Sequence, residues 1–257
     1  MKKRYLFFDI DGTLIAGGYG AGNTPPSTLE ALKLLRQNGH FLAIATGRSQ
    51  AMAYDIMHEL GFENMVSDGG CGLTLNGKLL GIRPLCRQDA VALVHECEEK
   101  GFPWALSTEN GKIRIAPDNR FFDYTQDDYM QTVVVRGLKA EKQDAIYKMF
   151  VACRYPQELE LQALQKLPWC RFHEKYFFVE PTEKGKGIKK MLDALQADYH
   201  DAVVFGDARN DLSMFEDEWV KVAMGNACPE LKARADLVTT DVFHDGIWNA
   251  CKTLGLI

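Results

Sequence analysis

Two kinds of hydrophobic spacing alternate over the first sixty residues. Tyr5-Leu6-Phe7-Phe8 and Phe41-Leu42-Ala43-Ile44-Ala45 are short, unbroken apolar runs, as expected of strands buried on both faces of a parallel sheet. Leu29, Leu32 and Leu35, and then Met52, Ile56 and Leu60, recur every three or four residues. That spacing predicts two amphipathic helices, the first starting near Ser27 and stopped by Asn38-Gly39, the second closed by Gly61. The alternation returns late in the chain, with a helix over 188–197 and strands over 202–205 and 220–223. Strand following helix in this way predicts βαβ units and an α/β fold with a doubly wound, mostly parallel sheet.

The middle of the chain reads differently. Residues 104–108 and 112–115 flank Glu109-Asn110-Gly111, a hairpin signal, and 132–135 and 176–179 are further strand-like runs beside a helical stretch at 90–100. These suit an α+β domain inserted into the first one. Crossings are expected at Gly81-Ile82-Arg83-Pro84 and Glu180-Pro181-Thr182-Glu183, where Pro and Gly suit linkers. The division expected is a discontinuous core, 1–82 with 183–257, and an inserted domain, 83–182.

Composition narrows the partners. With 30 Lys and Arg against 35 Asp and Glu, the net charge is -5, which disfavours nucleic acid or an anionic membrane as partner. The seven cysteines are scattered without C-x-x-C or zinc-like spacing, as in a reduced cytoplasmic protein. Lys2-Lys3-Arg4 resembles the charged start of a signal peptide, but the apolar run behind it ends at Asp9. No stretch approaches the roughly 18 apolar residues of a membrane span. The expected protein is cytoplasmic, a monomer or weak homo-oligomer.

Candidate chemistry sits at the ends of the predicted strands, where open α/β sheets bind ligands. Asp9-Ile10-Asp11-Gly12-Thr13 follows the first strand, so two carboxylates two residues apart enter one crevice. One can attack phosphorus while the other protonates a leaving oxygen and later deprotonates water. A lone D-x-D-G is more often a capped turn. Thr46-Gly47-Arg48 follows the second strand and precedes a helix, offering a hydroxyl, backbone N–H groups and a helix start to an anion. Gly206-Asp207-Ala208-Arg209-Asn210-Asp211 follows a third strand, and Asp207 is a hard oxygen ligand suited to magnesium. Glu183-Lys184-Gly185-Lys186-Gly187 precedes a helix and can supply the cation that a phosphate pocket needs besides the metal.

These four segments in this order, with Ala223-Met224-Gly225-Asn226-Ala227 and Asp245-Gly246 behind them, resemble the haloacid dehalogenase (HAD) superfamily, and within it the Cof-type sugar phosphatases with a type IIB cap. The resemblance covers almost the whole chain. It implies a Rossmann-like core with a cap, and a Mg2+-dependent phosphatase of small phosphomonoesters, either sugar phosphates or phosphorylated cofactors. It implies Asp9 as nucleophile forming an aspartyl phosphate and Asp11 as general acid and base. Thr46, Gly47, Arg48, Lys186 and Asn210 are then expected at the phosphoryl group. Asp9, Asp11 and Asp207 are expected at the metal, with Asp211 in support. Lys186 is preferred over Lys184 because Gly187 and the helix follow it directly. Asp11 separates phosphatases and phosphomutases from members lacking that acid. One departure stands out: the branch reads N-G-A after its third strand, and this chain reads Gly69-Gly70-Cys71. A phosphomutase and a non-catalytic binding module are the alternative readings.

Overall fold

The computed structural model describes every residue except Met1, Gly18, Tyr19 and Phe172, and leaves the side chain of Ala21 undescribed. In chain order its elements are β1 (Tyr5–Phe8), α1 (Pro26–Gln37), β2 (Phe41–Ala45), α2 (Gln50–Glu59), β3 (Met65–Ser67), β4 (Gly72–Leu75) and β5 (Lys78–Ile82). Then come α3 (Arg87–Lys100), β6 (Trp104–Ser107), β7 (Ile113–Ala116), α4 (Arg120–Thr125), β8 (Gln131–Val134), β9 (Lys148–Ala152), β10 (Trp169–Cys170) and β11 (Tyr176–Val179). The chain closes with α5 (Lys184–Ala194), β12 (Ala202–Gly206), β13 (Val220–Ala223), α6 (Pro229–Lys232), β14 (Leu237–Val238) and α7 (Gly246–Thr253). It divides into two compact units, Met1–Gly81 with Glu183–Ile257, and Ile82–Thr182.

The first unit is built on a sheet of order β14-β13-β12-β1-β2-β3-β4-β5. Neighbours from β14 to β3 pair in parallel, and β4 returns antiparallel to β3. The unbroken apolar runs have a direct cause here, because both faces are covered. Leu6 and Phe8 join Leu32, Leu35, Ile56 and Ile247 on one face, while Phe7 on the other packs with Ile188, Met191 and Leu192. Parallel pairing brings the carboxyl ends of β1, β2, β3, β12 and β13 to one edge of the sheet.

The second unit holds a sheet of order β10-β11-β9-β6-β7-β8. One face packs Trp104, Leu106, Met149, Val151, Phe177 and Val179 against Leu93, Val94 and Cys97 of α3. The opposite face carries a buried polar anchor. Arg114, wholly buried, pairs with Asp127 at 2.6 Å and donates to the Thr132 hydroxyl at 2.8 Å. Its guanidinium lies 4.6 and 4.9 Å from the ring centroids of Phe121 and Phe150. Tyr176 donates its hydroxyl to Asp127 at 2.7 Å. Burial, and then that hydrogen bond to a carboxylate, pushes the phenol up from its ordinary value.

Candidate active site

Asp9 leaves the end of β1 with its backbone N–H bonded to the carbonyl of Phe205 in β12 at 3.0 Å. Its side chain is buried. Asp207 and Asp211 come from the turn after β12, and one carboxylate oxygen of each lies within 4.8 Å of the others and of Asp9. Asp211 is already committed. One oxygen accepts from Lys184 at 2.6 Å, and the other accepts the backbone N–H groups of Asp207 and Ala208 at 2.9 and 3.0 Å. Asp207 is held differently, by the hydroxyl of buried Thr13 at 3.0 Å. Gly12 lets the two strand ends approach. It sits at φ +83, and a Cβ there would fall 2.7 Å from Cγ of Asp207, so any side chain is excluded both by backbone strain and by collision.

The cation at the centre is Lys184. Its Nζ lies 2.5 Å from Asp9 and 2.6 Å from Asp211, with the side chain 1% exposed. Lys186, the residue expected here, is instead 69% exposed and pairs with Glu183 at 3.0 Å. The reason is helical geometry. The helix begins at Lys184 rather than at 188, and residues two apart on a helix point to roughly opposite sides. The K-G pair occurs twice in Lys184-Gly185-Lys186-Gly187, and the first copy faces the carboxylates. Both glycines are needed for the helix start to seat so deeply. A Cβ on Gly187 would fall 2.9 Å from Cα of Gly70, and one on Gly185 would fall 2.6 Å from Glu216 Oε1.

Asp11 also departs from expectation. Its carboxylate is not part of the acidic cluster. It is half-exposed and held in a two-point pair by Arg48, Nη2 to Oδ1 at 2.5 Å and Nε to Oδ2 at 3.0 Å. Two residues along the loop after β1 suffice to turn it away from Asp9. Arg48, expected at the phosphoryl group, is therefore engaged with Asp11. Thr46 is buried at the end of β2, and its hydroxyl accepts from the N–H of Arg48 at 3.1 Å. Asn210 sits half-buried in the same turn as Asp207 and Asp211, and its amide oxygen has no hydrogen-bond partner among the described residues. At the expected N-G-A position, Gly69 sits at φ 61 and accepts the N–H of Glu183 at 2.6 Å, so the backbone there anchors the start of α5.

The electrostatics of the cluster favour a cation beside it. Burial, and then repulsion from Asp211, raises the carboxyl of Asp9 well above its usual range, despite Lys184; Asp207 and Asp11 add to the rise. Burial and Asp211 also push Asp207 up to about 7, against the Thr13 bond and Lys184. Burial would lower Lys184, but Asp211 and Asp9 outweigh it and raise it. Among the described residues, these three buried or half-buried carboxylates therefore share the ammonium of Lys184. Hard oxygen donors around a charge deficit of this kind fit a divalent cation such as magnesium, which takes one or two protein carboxylates and keeps several waters. Asp9 and Asp207 have the spare lone pairs, while Asp211 holds Lys184 and the turn in place.

A model of the haloacid dehalogenase-like hydrolases matches residues 6–251. The chain belongs to this family. It is 33% identical over 263 residues to "Putative phosphatase YkrA" of Bacillus subtilis (strain 168), covering 100% of both chains. Among solved structures, a hypothetical protein of Geobacillus kaustophilus HTA426 superimposes with a TM-score of 0.85 at 32% identity, covering 100% of both chains. A HAD subclass IIB sugar phosphatase superimposes with a TM-score of 0.78 at 25% identity, over 99% of this chain and 100% of that one. The chain is thus a phosphoric monoester hydrolase of the HAD family, and no helix among the described residues is long and apolar enough to cross a membrane.

Proposed function

We propose that this enzyme is a magnesium-dependent phosphatase of sugar phosphates or similar small phosphorylated alcohols, working through an aspartyl phosphate on Asp9. The observation that carries the reading is the burial of Asp9 beside Lys184, with Asp207 close by and Asp211 bracing both. Lys184 opposes the burial and neighbouring charge that favour the protonated form of Asp9, and a divalent cation beside it would add to that opposition and leave a carboxylate nucleophile at the sheet edge. Magnesium, held by Asp9 and Asp207, would neutralise charge on the phosphoryl oxygens. Thr46 and the backbone after β2 are suited to accept the same oxygens, with Asn210 at the border. Asp11, on a half-exposed loop, is free of the acidic cluster and can protonate the leaving alcohol and then deprotonate water once Arg48 orients it. The unit Ile82–Thr182 contributes none of these groups, and we assign it the selection of the leaving group, as a cap.

The test is release of inorganic phosphate from p-nitrophenyl phosphate and a panel of phosphorylated sugars, with and without magnesium and with no bisphosphate activator. The expected result is magnesium-dependent release that Asp9→Asn abolishes. Turnover that appears only with a bisphosphate would mark a phosphomutase, and turnover that survives Asp9→Asn would end the aspartyl-phosphate reading.

A further inference from the structure

Asp207 is gripped from one side by Thr13, and a single hydrogen bond fixes one oxygen while leaving the carboxylate free to turn about it. The other side is closed by a residue with no charge and no acid–base chemistry. Asn226 follows β13, and its Nδ2 donates to the carbonyl of Gly12 at 2.9 Å and, more weakly, to Oδ2 of Asp207 at 3.4 Å. Its Oδ1 accepts the backbone N–H of Val242 at 3.0 Å. The amide orientation follows from these partners, since only an oxygen can accept from Val242 and only an NH2 group can serve two acceptors.

We propose that Asn226 is a positioning residue for the divalent cation, acting through Asp207 and Gly12. Its three bonds join three separate loops, those after β1 and β12 and the one leading into α7. Thr13 on Oδ1 and Asn226 on Oδ2 together set the plane of the Asp207 carboxylate. The bond to Gly12 holds the peptide whose missing side chain gives Asp207 its place. The neighbouring backbone is seated to serve the amide: Gly225 donates to the carbonyl of Thr240 at 3.0 Å and accepts from Lys232 at 2.6 Å. Asn226 itself is exposed, so its three bonds add little to stability; what they add is orientation, because residues that orient a metal ligand affect cation affinity well beyond their own bond energy.

The role rests on the reading that Asp9 and Asp207 hold a divalent cation, and its test needs no substrate. Magnesium is titrated by calorimetry into the full chain and into Asn226→Ala. The expected result is affinity about 10–100-fold weaker in the variant, with a metal-free melting temperature near that of the wild type. A wild type that binds magnesium and a variant that binds it equally well would overturn the role of Asn226 alone. A wild type that binds none would overturn the cation site and this role with it. Should Asn226→Ala not fold, Asn226→Asp keeps the acceptor for Val242 and removes both donations. The magnesium concentration that half-saturates its turnover is expected to rise about 10-fold or more, and a wild-type value would overturn the proposal.

Discussion

The ammonium of Lys184 lies 2.5 Å from Asp9, whereas that of Lys186, two residues along the same helix, ends in solvent beside Glu183. One sequence motif therefore contains a buried counter-ion and a surface charge of identical chemistry.

Exchanging the two lysines separates those roles. Lys184→Met should lower kcat by at least 10²–10³-fold, about the effect of losing a preorganised oxyanion donor. Lys186→Met should leave kcat/KM within about twofold, since exposed ion pairs are worth little. A steady-state comparison on one phosphomonoester checks both, and equal losses in the two variants would contradict the assignment.

Magnesium should stabilise the fold as well as serve the chemistry, because it relieves repulsion among Asp9, Asp207 and Asp211. A ligand at one hundred times its dissociation constant adds about 2.7 kcal/mol. Thermal unfolding with increasing magnesium should show a rising Tm in the wild type, and Asp207→Asn should flatten that response.

The polar anchor of the second unit invites a double-mutant cycle. Asp127→Ala leaves the buried guanidinium of Arg114 without its partner and should cost about 3–5 kcal/mol in denaturant unfolding. Adding Arg114→Met removes the stranded charge and should recover much of that loss. If the double variant is as unstable as the sum of the two singles, the pair is not coupled.

His40 makes stability depend on pH. Its Nδ1 accepts the backbone N–H of Arg4 at 3.0 Å, and Nε2 lies 3.3 Å from the carbonyl of Leu256. Accepting requires Nδ1 to be unprotonated. Burial lowers the pKa in the fold, the Leu256 contact opposes that, and Arg4 lowers it further. The unfolded chain therefore binds a proton more readily, so this contribution is full above the unfolded value of about 6.5 and is lost as pH falls below it. Denaturant unfolding between pH 7.5 and 5 should show a steeper loss in the wild type than in His40→Gln, which can still accept but does not titrate.

How much of this was legible in the chain depends on the kind of signal. The runs at Tyr5–Phe8 and Phe41–Ala45 announced buried parallel strands because both faces of the sheet are covered. Asp9, Thr46 and Asp207 were placed correctly at strand ends, since a parallel sheet gathers those ends at one edge. Lys184 was passed over because the choice between two K-G pairs depends on where the helix begins, and the close approach of Gly187 to Gly70 that fixes its seat is a tertiary contact. Asp11 was expected at the metal from the family resemblance, and its carboxylate is held by Arg48, outside the group formed by Asp9, Asp207 and Asp211. Strand β9 went unread, since Lys148–Ala152 is too short for its spacing to tell strand from helix. Thr13 carries no charge, and nothing local revealed that it would meet Asp207 from 194 positions away.

The route by which the chain re-enters the first unit has a mechanical consequence. Immediately before Lys184, the N–H of Glu183 is tied to Gly69 at 2.6 Å, and the N–H of Lys184 itself is tied to the Ser213 hydroxyl at 3.2 Å. These two moorings anchor the chain arriving from β11 before it reaches the side chain of Lys184. Both bonds lie within the first unit and precede the Lys184 side chain, so its seat is fixed by residues of that unit. A change in the length of the insertion is therefore expected to leave the pairing of Lys184 with Asp9 in register.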